Sequence, residues 1–289
     1  MSSNAPNYDA TDQVSTQTVQ TTRIGAHGHE TASDLVAREE PLEIRLGPVS
    51  LAVVMRTPGN DEELAMGFLF TERVVERPEQ VVSVRHCTTV ETPEAEDNVI
   101  QIHLRDDVVV DLERLRRNLY ASSSCGICGK ATIENVMDTA SPLVDDTRFD
   151  ENTIAGLPVL LTSHQKVFAQ TGGLHAAGLF QTHADSQTIL AVREDVGRHN
   201  AVDKIVGWAA RQGRLPLSGT ALVVSGRISY EIVQKALAAR VPVVVAISAP
   251  TSLAVALADA AGMTLVGFAR KDSMNVYTHP ERLVATRPG

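Results

Sequence analysis

Residues 221–270 read ALVVSGRISYEIVQKALAARVPVVVAISAPTSLAVALADAAGMTLVGFAR. Three compact apolar runs, ALVVS (221–225), VPVVVAIS (241–248) and MTLVGF (263–268), alternate with two helical patterns, SYEIVQKALAAR (229–240) and SLAVALADAAG (252–262). Short apolar runs that do not alternate with polar residues are strands buried on both faces. Strands of that kind separated by helices predict a parallel or mixed sheet sandwiched between helices. Upstream, HNAVDKIVGWAARQ (199–212) adds a helix, and TILAV (188–192) and HAAGLF (175–180) add strands. Ligands of such folds sit at the carboxyl ends of the strands, where loops meet helix N-termini.

Before this half the pattern changes. LEIRLG (42–47) and SLAVVMRTP (50–58) predict a strand pair around a Gly47-Pro48 turn. Asn60 is placed to cap a helix, with Glu63 completing a capping box and Leu64, Gly67, Phe68, Val74 and Val75 forming its apolar face. VVSVRHC (81–87) and VIQIHLR (99–105) alternate like half-buried strands on either side of an acidic loop, and DLERLRRNLY (111–120) predicts a short amphipathic helix. Residues 1–30 carry 13 Ser, Thr, Asn or Gln, too polar a composition to offset the entropy of ordering. The expected organisation is a disordered tail over 1–33, a β-rich subdomain over 34–150 and an α/β subdomain over 151–289.

The chain of 289 residues is 43% hydrophobic, enough for a substantial core. No apolar run approaches the length of a membrane span, and the N-terminal MSSNAPNYDATD has no apolar segment of the secretory kind. Three cysteines make no disulfide scaffold, so thiols in a cytoplasmic setting are expected. A formal net charge of −9 argues against general nucleic-acid binding. The charge is uneven: residues 1–150 hold 13 Lys+Arg against 26 Asp+Glu, and residues 151–289 hold 13 against 9. A mildly basic back half suits an anionic ligand.

The chemically richest segment is Ser122-Ser-Ser-Cys125-Gly126-Ile127-Cys128-Gly129-Lys130. Its serines and glycines predict an accessible loop, and a helix expected over 130–138 points its positive end at Cys128. Accessibility, the dipole and Lys130 all favour thiolate. Several uses remain open for one C-x-x-C pair. A structural zinc site needs four ligands, and Cys87 stands alone on a strand with no H-x3-5-H pair. A thioredoxin-type motif opens a helix directly after a strand, whereas this pair follows a helix. Sulfur can also be carried as a persulfide and released when the second thiol forms a disulfide.

SCGICGK (124–130) shares the chain with RTPGNDEELAMGFLFTE (56–72), TGGLHAAGLF (171–180) and REDVGRHNAVDKIVG (193–207). VSGRISYEIVQKA (224–236), AISAPTSLAV (246–255) and GFARKDSMNVYTHPERL (267–283) follow in order. This ordered set, over roughly 36–284, resembles the FdhD family, the accessory proteins of formate dehydrogenase. The resemblance implies a sulfurtransferase that takes sulfur from a cysteine desulfurase. It passes that sulfur to the molybdenum cofactor in its bis(molybdopterin guanine dinucleotide) form, before the cofactor enters the formate dehydrogenase catalytic subunit. It implies Cys125 and Cys128 as the transferring thiols, with the persulfide on Cys125, and a homodimer with no metal of its own. It also implies a cytidine-deaminase-like α/β three-layer sandwich with a mixed sheet, preceded by a β-rich subdomain carrying the cysteine loop. The cofactor-binding segment maps onto Phe268, Ala269, Arg270, Lys271, Asp272 and Ser273, and guanine nucleotides such as GDP are expected as partial mimics.

The residues agree in part. Arg270 and Lys271 place two cations after the last apolar run, suited to a pyrophosphate. Ser225-Gly226-Arg227 is either a second anion contact or a tight turn, and His175, Arg198 and His199 sit beside glycine turns as site-lining or core residues. Zinc deaminases use H-x-E followed by P-C-x-x-C. Here His175-Ala176-Ala177 lacks the Glu, and the C-x-x-C lies upstream. Two rival classes remain: a zinc-dependent nucleotide deaminase, and a non-catalytic chaperone of the cofactor or the dehydrogenase.

Overall fold

The structure, a computed structural model, describes residues 14–26, 28–88, 97–112, 142–183, 186–271 and 273–285. The chain enters through β1 (Thr16–Gly25) and β2 (Gly28–Ala37), which pair antiparallel along their whole length as a two-stranded ribbon. This corrects the expectation of disorder through residue 33. The ribbon is held by backbone hydrogen bonds and leaves most side chains exposed, so a composition test that looks for apolar burial passes over it. Its base is fixed by Ser15, which is buried, donates its hydroxyl to Pro58 O at 2.9 Å and accepts from Arg38 N at 2.9 Å.

β3 (Glu40–Leu46) and β4 (Val49–Arg56) pair antiparallel, as expected, around Gly47 at φ +56°. β5 (Val81–His86) and β6 (Val99–Leu104) pair likewise, and β6 lies parallel to β3, giving the order β4-β3-β6-β5. Helix α1 (Asp61–Thr71) covers this sheet, with Leu64, Ala65, Phe68 and Leu69 against Leu42, Ile44, Ile100 and Ile102. Two details differ from expectation. Asn60 precedes α1 in the left-handed region (φ +58°) and its side chain makes no capping bond. Glu63 is engaged elsewhere, accepting from Arg193 Nη2 at 2.8 Å and Nε at 2.5 Å, because a bidentate guanidinium–carboxylate pair outcompetes a single cap bond. Val74 and Val75 lie beyond the helix end, although they join the same core.

The α/β unit begins with β7 (Phe149–Asp150), α2 (Glu151–Ser163) and α3 (Lys166–Thr171). There follow β8 (His175–His183), β9 (Ser186–Asp195), α4 (Arg198–Arg211), β10 (Thr220–Val224) and α5 (Tyr230–Ala238). The chain ends with β11 (Val243–Ala246), α6 (Ser252–Ala260), β12 (Thr264–Arg270), β13 (Ser273–Thr278) and β14 (Leu283–Val284), which pairs with β7. The main sheet has six strands in the order β13-β12-β11-β10-β8-β9. β10, β11 and β12 are parallel, and β8, β9 and β13 run antiparallel to their neighbours, so the sheet is mixed.

Each sheet face carries its own core. On one side Ala201, Ile205, Ile232, Ala236 and Ala258 from α4, α5 and α6 pack on Leu179, Leu222, Val244 and Leu265. On the other, Ile154, Leu157 and Leu161 of α2 pack on Phe180, Val223, Val245 and Val266. The result is a helix–sheet–helix sandwich, the α/β class read from the sequence.

The two units meet where α1 crosses α4 with backbones in contact. A Cβ at Gly67 would lie 1.8 Å from Asp203 O, and one at Gly207 would lie 1.8 Å from Glu63 O. Only glycine admits that approach. It also explains why α1 is buried nearly all round and not along one face: the four-stranded sheet lies on one side and α4 on the other.

Candidate functional site at the carboxyl edge of the sheet

The parallel strands end together at Val224, Ala246 and Arg270. β8 starts and β9 ends at the same edge, since His175 pairs with Asp195 just beyond the Ala177–Val224 pair. The loops leaving β9, β10 and β11 feed directly into α4, α5 and α6, which turn their positive ends toward this edge.

Three sequence candidates converge here. A Cβ at Gly226 would sit 3.4 Å from His175 Nδ1 and 3.7 Å from Arg198 Cδ, so the three residues form one wall. Ser225 closes it behind, donating its amide to Ala176 O at 3.0 Å and accepting Ala176 N on Oγ at 2.9 Å. His199 Nε2 lies 3.2 Å from Ser229 Oγ and 3.9 Å from Glu231 Oε2. Burial, reinforced by the Arg198 charge, pushes the His199 pKa down to about 4 and lowers that of His175 as well. Both imidazoles are therefore neutral at pH 7. Arg198 Nε is buried without a hydrogen-bond partner among the described residues. A buried donor left open carries a penalty of about 1–3 kcal/mol, so the guanidinium is poised for an acceptor.

Phe268–Ser273 lies one element earlier than expected. The sequence places it after the last strand, whereas it forms the end of β12 and the turn into β13. Phe268 adopts φ +51° and donates its amide to Ser248 O at 3.1 Å, inside the register shift between Gly267 and Arg270 in the β12–β13 pairing. Its ring is 43% exposed, Ala269 is buried, and Arg270, Lys271 and Ser273 face solvent. Neither Arg270 nor Lys271 pairs with an acidic group among the described residues. Arg227, also exposed, adds a cation at the end of β10. Asp272 lies outside the described residues, as do Cys125, Cys128 and the predicted helices over 111–120 and 130–138, apart from Asp111 and Leu112. Cys87, expected on a strand, lies half-buried just past the end of β5. Among the described residues no group of three or more His, Cys, Asp or Glu is placed to hold a metal ion. No described helix is long and apolar enough to cross a membrane.

A buried polar cluster, absent from the sequence reading, joins the β-rich unit to this edge. Lys204 Nζ lies 2.7 Å from Asp195 Oδ2 and donates to Thr57 O at 2.9 Å, while Thr57 N donates to Asp195 Oδ2 at 3.2 Å. Asn200 Nδ2 donates to Met55 O at 2.7 Å. The D-x-x-x-x-N spacing of Asp195 and Asn200 was the available signal, but their partners in the β-rich unit, Thr57 and Met55, are more than 130 residues away.

Comparison with known proteins bears on this geometry. Residues 37–284 match the model of the FdhD/NarQ family. The chain belongs to that family. It is 50% identical over 264 residues to the sulfur carrier protein FdhD of Mycolicibacterium paratuberculosis, covering 88% of this chain and 96% of that one. It is 44% identical over 252 residues to the sulfur carrier protein FdhD of Sulfolobus acidocaldarius, covering 87% of this chain and 92% of that one. A solved Desulfotalea psychrophila structure, described as a formate dehydrogenase accessory protein, superposes with a TM-score of 0.72 at 25% identity, covering 93% of this chain and 99% of that one. The FdhD/NarQ match starts at the root of the β1–β2 ribbon and runs through both the β-rich and the α/β unit.

Proposed function

We propose that this FdhD/NarQ protein accepts sulfur from a cysteine desulfurase onto Cys125 as a persulfide and passes it to bis(molybdopterin guanine dinucleotide)-molybdenum, its substrate. The sulfurated cofactor then goes to the formate dehydrogenase catalytic subunit. The observation that carries the reading is the anion cradle at the carboxyl edge. Among the described residues, Arg198 has an open buried donor, Gly226 leaves the wall bare of a side chain, and Arg227, Arg270 and Lys271 have no acidic partner. A guanine dinucleotide brings a pyrophosphate and a planar base, which fit guanidinium forks and the exposed Phe268 ring. Neutral His175 and His199 can donate to or accept from a bound ligand without adding charge.

The sulfur step balances on the two thiols. The Cys128 thiolate attacks the inner sulfur of the Cys125 persulfide, one S–S bond breaks and another forms. The outer sulfur leaves with the electron pair as hydrosulfide. A dithiol reductant then restores both thiols. We take the working unit to be two copies of the chain.

The test is intact mass spectrometry and GDP calorimetry on one preparation. Incubation with a cysteine desulfurase and cysteine adds one sulfur, removable by reductant and lost in Cys125→Ala. Arg270→Ala removes a charge-assisted hydrogen bond worth roughly 1.5–3 kcal/mol, which weakens GDP binding about ten- to a hundredfold. Sulfur loading stays intact in that variant. Unchanged GDP affinity would remove Arg270 from the site. Full support of formate dehydrogenase by a Cys125→Ala/Cys128→Ala variant would turn the reading toward a cofactor chaperone.

A further inference from the structure

The turn from β9 into α4 carries Arg198, whose Nε is open among the described residues, yet this turn is held from the other unit. Thr57, one residue past the end of β4 and 2% exposed, directs its amide, carbonyl and hydroxyl at the segment. Its Oγ1 accepts from Val196 N at 3.2 Å, its amide donates to Asp195 Oδ2 at 3.2 Å, and its carbonyl accepts from Lys204 Nζ at 2.9 Å. Asp195 Oδ1 accepts from Gly197 N at 2.8 Å and from Asn200 Nδ2 at 2.9 Å. The two backbone amides that precede Arg198 are thus both tied to acceptors on buried residues. The turn is also tight, since a Cβ at Gly197 would fall 2.7 Å from Asn200 Nδ2.

We propose that Thr57 is a positioning residue for the anion cradle: it fixes the Val196–Gly197 turn and, through that turn, the direction in which Arg198 offers its guanidinium to a nucleotide pyrophosphate. This rests on the cofactor-site reading above. The physical ground is preorganisation. A guanidinium fork grips two oxygens only when its plane matches theirs, so a small rotation of the turn forfeits part of the contact. A turn already fixed by hydrogen bonds loses little freedom when the ligand arrives, whereas a loose one must be ordered at that moment. Every residue assigned to the cradle lies in the sandwich, but the turn that carries Arg198 is clasped by the β-rich unit. Thr57→Val keeps the side-chain shape, the amide and the carbonyl, and removes only the acceptor of Val196 N.

GDP calorimetry on the full chain tests the assignment with a double-mutant cycle. Thr57→Val weakens GDP binding about three- to tenfold, the scale of one neutral hydrogen bond. Thr57→Ser keeps the hydroxyl and binds within about twofold of the wild type. Arg198→Ala weakens binding about tenfold, and adding Thr57→Val to it changes the affinity no further, because no guanidinium remains for the turn to aim. A residue that only supports the fold would weaken binding equally in both backgrounds. Amide hydrogen exchange of the wild type needs no variant: the Val196 and Gly197 amides are protected before GDP is added. A wild type that does not bind GDP, or an Arg198→Ala variant that binds as tightly as the wild type, overturns the cradle reading and the role of Thr57 with it. Three results overturn the role of Thr57 alone: affinity that falls in Arg198→Ala but not in Thr57→Val, equal losses in the two backgrounds, or turn amides protected only once GDP is bound.

Discussion

His199 shows how one side chain records the design of the site. Its pKa is near 4 in the fold, against an ordinary 6.5, because the ring is buried beside Arg198. The unfolded chain takes up that proton below about pH 6.5, and the fold refuses it until about pH 4. Protonation therefore favours unfolding. The stability contributed by a neutral His199 is fully present above pH 6.5 and is lost as pH falls toward 4. With the side chain still 35% exposed, solvent screening holds the effect to on the order of 1–2 kcal/mol. Urea unfolding at pH 7.5 and pH 5 measures it. The wild type loses about that much more stability on acidification than His199→Gln, and equal losses would show that the ring is not held neutral by the fold. The sequence marks Arg198 and His199 as polar residues beside a glycine turn. It cannot mark Arg198 as an open donor, because that depends on how His175 and Gly226, more than 20 residues away on either side, pack around it.

At the scale of elements, β10, β11 and β12 were readable because burial on both faces leaves uninterrupted apolar runs, whereas β13, exposed at alternate residues, was not. Helix α2 was not, since Gly156 and Pro158 interrupt its sequence as a turn would, and its boundary is set by Asp150 accepting Thr153 N at 2.8 Å. The ribbon escaped for the opposite reason, having pairing without burial. The α1–α4 crossing makes the sharpest prediction here. In Gly67→Ala the new methyl would fall 1.8 Å from the Asp203 carbonyl oxygen, a backbone atom that cannot rotate away. The helices must separate, which costs about 3 kcal/mol or more, at or above the upper end of ordinary overpacking. Gly207→Ala does the same through Glu63. Gly156→Ala in α2 meets nothing within 4 Å and gains about 0.5–1 kcal/mol from helix propensity. Chemical denaturation of the three variants should separate them in sign. A mild effect at Gly67 would mean that the helices do not touch as described.

Across the whole molecule, the two units share more than a helix crossing. Lys235, on α5, donates at 2.9 Å to Thr71 Oγ1, Glu72 Oε1 and Asp203 Oδ2, and burial pushes the Asp203 pKa up to about 6. Lys204 and Asp195, both essentially inaccessible, tie β9 and α4 to the end of β4 through Thr57. Buried ions paired across a boundary make each unit's fold a condition of the other's, so unfolding should be a single transition. Trp208, the one tryptophan, sits on α4 and reports the sandwich, while far-UV circular dichroism reports both units. The two urea curves should coincide. Lys204→Met leaves the Asp195 carboxylate buried without its counter-ion, at a cost of about 3–5 kcal/mol. It should move both curves together. Adding Asp195→Asn removes the stranded charge and keeps acceptor capacity for Thr57 N, so the double variant should recover at least about 1 kcal/mol over Lys204→Met. Separate transitions in the single variant would mean that the β-rich unit only leans on the sandwich. The carboxyl-edge site would then be assembled by the sandwich alone.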